Sequence, residues 1–419
     1  MLFHKALWQQ ASCSSSDLET GSAVLLLLAV ALALQVTEPF FLQIMQWLKL
    51  HGDAAQEVDA TFLRHPWEQH ANEVEHRSWP RYLHGVNVLP VLLPNLQHLS
   101  LSCEKGFMTA EQDLCSLQFL TCLQSLRLNI ASDGSWNRAT MSPLQHLTAL
   151  RQLDMEVHGM ETGPMSLAPE LGTLTLLTNL SLHQAWSYRT KCTYESNQAG
   201  VVIGCLTGLQ SLSLISIVDR IPAAFSKLQQ LRTLIISGDG EEWPSFSVQP
   251  SFSSCRNLSF LQLQSFMPES QAGWLEACSA LSALPSLSDI FMKCVDLGEL
   301  EAHEWAFGST LTSLRISDGC LWNFPEALVS LTALQHLSFD STSLEHVREL
   351  PVGPYLEHLT GLDLSDTKLP VFPEALFQAS KLRVFAAFDD EPWLCLDKLK
   401  AVLPRCCELD IIKGSSDPE

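Results

Sequence analysis

Apolar residues recur along this chain as one phrase, Leu-x-x-Leu-x-x-Leu-x-Leu, with mostly polar residues between them. It is first complete at Leu93, Leu96, Leu99 and Leu101, and returns at Leu120, Leu123, Leu126 and Leu128. Ten further copies follow, ending at Leu382, Phe385 and Ala387. The second apolar residue of each phrase falls at 96, 123, 150, 177, 209, 231, 258, 287, 311, 334, 359 and 382. An amphipathic helix does not restart its pattern every ~25 residues; a stack of equal structural units does.

The spacing has a physical reading. The closing Leu-x-Leu is a short strand with alternate side chains facing inward. The preceding Leu-x-x-Leu ends a return segment that leads into the strand. One unit cannot bury its own leucines, but stacked units share a continuous core. That also accounts for the length of 419 residues, beyond the ~250–300 at which a single compact core stops growing. The expected fold is an α/β solenoid of about twelve units over residues 86–390, with parallel strands on its concave face.

The phrase resembles the leucine-rich-repeat family, whose horseshoe has this layout. Ile221-Pro222, Phe324-Pro325 and Phe372-Pro373 resemble its shorter subtype, found in intracellular plant and algal proteins, with proline opening the return helix. The family's asparagine, three residues after the strand's last leucine, is replaced here by residues such as Ala131, Ile217, Asp239, Thr342 and Thr367. The resemblance implies a buried asparagine ladder; without it, less regular stretches are expected over residues 131–205 and 239–255.

A solenoid needs caps at both ends. Residues 391–403 read as a capping helix ended by Pro404, with Leu409, Ile411 and Ile412 as a last strand-like segment in a 391–419 cap and tail. Residues 1–85 read as a helical N-terminal region. Within it, residues 21–37 carry no charge, which suits a buried helix, with a signal or membrane anchor as the alternative. Residues 38–50, including Phe40, Leu42, Ile44, Met45, Trp47 and Leu48, resemble the first helix of an F-box. That resemblance implies docking on the Skp adaptor of a ubiquitin ligase.

Charge and chemistry narrow the function. The 46 acidic and 25 basic residues give a net charge of −21, which disfavours nucleic acid as a partner. The 13 cysteines are scattered like small buried apolar residues, which suits a reducing, cytoplasmic compartment. No nucleophile elbow, phosphate loop or zinc-protease motif occurs. The expectation is therefore a protein with no enzymatic activity, cofactor or metal.

What remains is the strand face. Residues between and just after the last two core positions point to solvent, and along the chain they change character. Ile235 and Phe291 are apolar, Arg315 is cationic, and Asp318, Asp340, Asp363 and Asp366 are acidic, with Asp389 and Asp390 beyond them. An apolar centre with a charged flank is how binding surfaces are built. Those seven residues, 235 to 366, are the expected partner-binding set, for a protein with a basic segment. The insert 184–200, with Trp186 and Tyr188, is a second candidate surface. The leading reading is a protein-binding scaffold. The alternatives are an F-box-like substrate adaptor and a membrane-anchored receptor-like protein, with membrane contact only through 21–37.

Overall fold

The computed structural model describes residues 57–62, 93–103, 114–131, 141–160, 167–186, 196–217, 221–238, 245–246, 250–268, 271–295, 309–319, 321, 324, 326–345, 347, 349–388, 394, 396–404 and 407–412. The chain divides into two compact units, Met1–Thr193 and Tyr194–Glu419.

Five parallel strands make the first unit: β1 (Glu57–Phe62), β2 (His98–Cys103), β3 (Ser125–Ala131), β4 (Gln152–Met160) and β5 (Asn179–Trp186). Leu99, Leu126, Leu153 and Leu180 lie in one register row, and Leu101, Leu128, Met155 and Leu182 in the next. None of these eight side chains is more than 5% exposed. The strand β1 lies inside the segment expected to be helical. Its register partners for Leu99 and Leu101 are Val58 and Ala60, so a leucine template passes over it.

Among the described residues, nine parallel strands form the main run of the second unit. They are β6 (Ser211–Ile215), β7 (Thr233–Ser237), β9 (Phe260–Pro268), β10 (Asp289–Val295), β11 (Ser313–Ser317), β12 (His336–Ser338), β13 (Gly361–Asp363), β14 (Val384–Phe388) and β15 (Glu408–Ile412). They pair in that order, while the two-residue β8 (Ser245–Phe246) pairs with the end of β9. The inward row Leu212, Leu234, Leu261, Ile290, Leu314, Leu337, Leu362 and Phe385 is at most 2% exposed. The stretch expected as cap holds the short helix α3 (Leu396–Val402) and β15, whose Leu409 and Ile411 pair with Phe385 and Ala387. The helices α1 (Ser196–Gly204) and α2 (Gln271–Ser282) are the longer return segments. At Gly204 of α1, a Cβ would stand 2.9 Å from the backbone oxygen of Ala224, so glycine permits the close approach.

Most return segments are 3-10 turns, as at Ser142–His146 and Ala223–Lys227. The sequence spacing explains this. Leucines three apart share a face only where three residues complete a turn. The amide of Leu147 accordingly bonds to Leu144, and that of Leu150 to Leu147. Prolines 222 and 373 stand one residue ahead of these turns, in extended conformation, rather than at the first helical position.

A different polar ladder takes the place of the asparagines. The carbonyl that precedes most of the described strands accepts two amides of the next repeat, as when Arg232 receives Ser259 and Phe260. Hydroxyls add to it: Thr178 to Arg151, Ser259 to Arg232, Ser288 to Ser259, Thr312 to Ser288 and Thr360 to Gln335, all at 3.0–3.1 Å. At the asparagine position itself, the buried Thr342 hydroxyl donates to Ile316 of the preceding repeat at 3.1 Å. Serine and threonine hydroxyls thus bridge neighbouring repeats, and the described strands keep register except in β4, between His158 and Met160, inside the stretch 131–205 expected to be less regular.

Candidate strand-face binding site

The parallel register of the second unit sets its outward residues in rows. One row reads Ser213, Ile235, Gln262, Phe291, Arg315, Ser338, Asp363, Ala386 and Asp410. Four of the seven expected residues, Ile235, Phe291, Arg315 and Asp363, thus share one line. At ~4.8 Å per strand, Ile235 and Asp363 are about 24 Å apart. The Arg315 guanidinium lies 5.3 Å from the centre of the Phe291 ring, a cation–π contact that holds the arginine over the apolar part of the row.

The other three aspartates lie just past their strands. Asp318 and Asp366 occupy left-handed backbone, each at φ 52, a conformation that aspartate tolerates better than most residues. Asp318 is not a free charge. Its carboxylate lies 3.5 Å from the Lys293 ammonium, a residue the expected set omitted. Asp340, Asp363 and Asp366 have no cation within 4 Å among the described residues. Asp340 accepts the Ser341 hydroxyl at 3.3 Å, and Asp363 accepts the Ser365 amide at 3.0 Å. The four expected aspartates therefore stand against two cations among the described residues, Lys293 and Arg315, with Asp410 at the far end of the row.

Burial, and then the charge of Asp363, pushes the Asp340 carboxyl above its ordinary 3.8; Asp318 and Asp366 add to this, and the Ser341 hydroxyl opposes it. The folded chain thus holds this proton more tightly than the unfolded chain does. Ionising Asp340 costs native stability, and the cost builds as pH rises from about 3.8 through the raised value, then persists. Asp340→Asn is expected to raise the melting temperature at pH 7 and to converge on wild type below the unfolded value. Melts across pH 3–8 check this, and a lower melting temperature at pH 7 would contradict it.

The first unit's face contrasts with this one. Arg127 Nε lies 3.4 Å from Asp154 Oδ2. Glu156 Oε1 lies 3.2 Å from both His158 Nε2 and His183 Nδ1, and its other oxygen accepts Asn129 Nδ2 at 3.0 Å. The Arg127–Asp154, Glu156–His183 and Asn129–Glu156 contacts join neighbouring strands, while His158 lies on β4 with Glu156; none of these residues was part of the expected set. Their columns were visible in the sequence, but their pairing needs the register.

Other candidate chemistry is sparse. Among the described residues, no three His, Cys, Asp or Glu side chains converge on a metal position. Cys255 is buried, its thiol pushed up to about 11 by desolvation, which disfavours the nucleophilic thiolate. A half-open polar crevice lined by Gln229, Gln230, Ser253, Ser254, Arg256 and Asn257 lies at the return turns, apart from the aspartate row. No helix among the described residues is long and apolar enough to cross a membrane. The stretches 21–37 and 38–50, most of the insert (187–195), and Asp389 and Asp390 lie outside the described residues.

No protein-family model matches the chain, and no curated protein does. Among solved structures, it is similar to TLR13 in its complex with ssRNA13, with TM-score 0.54 and 16% identity; the match covers 87% of this chain and 52% of that one. The chain folds as a leucine-rich-repeat solenoid. An internalin from Listeria monocytogenes is also similar (TM-score 0.47, 16% identity, 77% of this chain and 82% of that one). So is a leucine-rich-repeat protein of Leptospira interrogans (TM-score 0.44, 17% identity, 88% and 92%). At these identities the likeness concerns the leucine-rich-repeat fold alone.

Proposed function

We propose that this leucine-rich-repeat chain is a binding scaffold whose second-unit strand face receives a basic segment of a partner protein. One observation carries the reading. Ile235 and Phe291, with Gln262 between them, share a register row with Asp363, and Asp340 and Asp366 stand just past the strands beside it; these three carboxylates have no cation within 4 Å among the described residues. Burial and the neighbouring carboxylates disfavour the charged form of Asp340, and a basic partner would offset the repulsion. Arg315 and the Lys293–Asp318 pair mark the border between the apolar and acidic parts. A face that rigid strands hold in place binds with little ordering cost.

The test is comparative capture. Tagged wild type and the double variant Asp340→Lys/Asp363→Lys serve as baits in the same extract, read by quantitative mass spectrometry. Proteins retained by wild type and lost by the folded double variant support the reading. Identical capture by both overturns it.

A further inference from the structure

Strand β14 is apolar on both of its faces. Phe385 and Ala387 point into the core at 0% exposure, and Val384, Ala386 and Phe388 alternate with them on the outer face. Val384 is 44% exposed, while Ala386 and Phe388 are half-buried. Among the described strands of the second unit, only β14 is apolar at every outward position. A sheet with one solvated face alternates apolar and polar residues; a strand apolar throughout belongs where both faces are covered. The stripe on β14 is thus built to be covered.

Carboxylates stand on both sides of it. Asp363 of β13 pairs with Ala386, which pairs with Asp410 of β15, and Val384 pairs with Glu408. Glu408 and Asp410 are exposed. Among the described residues, the outward rows of β13, β14 and β15 hold no lysine or arginine. Lys381 and Arg383 precede β14 and lie outside those rows. We infer that the stripe receives a basic amphipathic helix of the partner, its apolar seam on β14 and its lysines or arginines over β13 and β15. This rests on the reading that the face binds a basic segment, and it adds the segment's shape and the order of its residues.

The dimensions suit a helix. Val384 to Phe388 covers about 13 Å of strand, the length of about nine helical residues. Successive outward residues of β14 stand ~6.6 Å apart, close to the ~6 Å between helical positions i and i+4. The strands on either side of β14 are about 10 Å apart, the width of a helix with its side chains. Lysine and arginine stems beside the seam can run along the apolar stripe and set their charges on the carboxylates. A second copy of this chain suits the stripe poorly. Two such faces would bring Asp363, Glu408 and Asp410 of both copies together, and like charges across an interface repel.

The experiment titrates the full-length chain with a fluorescein-labelled (Leu-Ala-Ala-Leu-Lys-Ala-Lys)3 peptide, read by anisotropy. Its leucines form a seam with lysine on both sides. A scrambled peptide of the same composition without a seam, and (Gly-Lys)5, are run alongside. The variants are Val384→Ser/Phe388→Ser, Glu408→Lys/Asp410→Lys and Asp340→Lys/Asp363→Lys. Phe377→Ser, at a residue 63% exposed on a return turn, and Glu357→Gln are the controls. The serine pair leaves the charge untouched, yet it is expected to weaken the seamed peptide about tenfold or more, the scale of losing one buried apolar side chain. Binding of (Gly-Lys)5 is expected to stay as it was. The Glu408→Lys/Asp410→Lys pair is expected to weaken both. Should the serine pair misfold by circular dichroism, Val384→Ser alone decides by the same criterion.

A serine pair that binds the seamed peptide like Phe377→Ser overturns the helix inference, as does equal binding of the seamed and scrambled peptides. Unchanged binding by Glu408→Lys/Asp410→Lys overturns the two-sided flank. In each case, weaker binding of (Gly-Lys)5 by Asp340→Lys/Asp363→Lys leaves the basic-face reading standing. If neither lysine pair binds the basic peptides more weakly than Glu357→Gln, that reading fails and the helix with it. A wild-type chain that sediments as a dimer, and as a monomer once the serine pair is introduced, places a second copy on the stripe and overturns the helix.

Discussion

Alanine at position 339 is expected to destabilise the second unit by about 3–5 kcal/mol, the range for emptying a buried aromatic site. Phe339 is 0% exposed, and its ring meets Phe324 edge-on at a centroid distance of 5.0 Å. Its amide also bonds the Asp363 carbonyl at 2.9 Å, so the residue ties the core to the strand that carries the acidic face. Other strands place Leu214, Leu263, Ile316 or Leu364 at this position. Phe339→Leu is therefore expected to cost less than half as much as alanine, since most of the volume remains filled. Urea unfolding of the full chain, followed by circular dichroism, measures both. An alanine variant within 1 kcal/mol of wild type would show that Phe339 is not a core residue.

Reversing Asp340 and Asp363 to lysine is expected to weaken binding of a captured partner by roughly 10–100-fold, with most of the loss in the association rate. The variant replaces attraction with repulsion at the centre of the acidic patch and changes the local charge by four units. In wild type the association rate should fall steeply with added salt, because the Debye length shrinks from ~8 Å at 0.15 M to ~3 Å at 1 M. In the double variant that dependence should flatten or reverse. Neither position is in the buried core. Asp340 already costs stability, so the fold is expected to survive. A loss confined to the dissociation rate would point to a different contact.

How far the sequence carried the account differs between fold and site. The repeat was legible because leucine at fixed spacing has one physical use, and every phrase from Leu93 to Ala387 stands at its strand. The last strand was legible from Leu409, Ile411 and Ile412. The first was harder, because Val58 and Ala60 hold the register positions of Leu99 and Leu101 without the leucine phrase. The spacing of three also held the 3-10 turns in plain view, although a helical return was expected. On the face, alternation placed Ile235, Phe291, Arg315 and Asp363 outward, and parallel register put them in line. Pairing was not legible. That Lys293 neutralises Asp318, or that Glu156 is matched by Asn129 and two histidines, depends on which strands are neighbours and how long side chains reach across them.

The central claim is that partners meet the strand face of the second unit, and photo-crosslinking tests it most directly. Benzoylphenylalanine placed at Ser338, in the outward row beside Asp363, is compared with the same group at Glu357, on the exposed return turn. The account predicts a crosslink to the captured partner from position 338 and none from 357. A crosslink from 357 with none from 338 would contradict it.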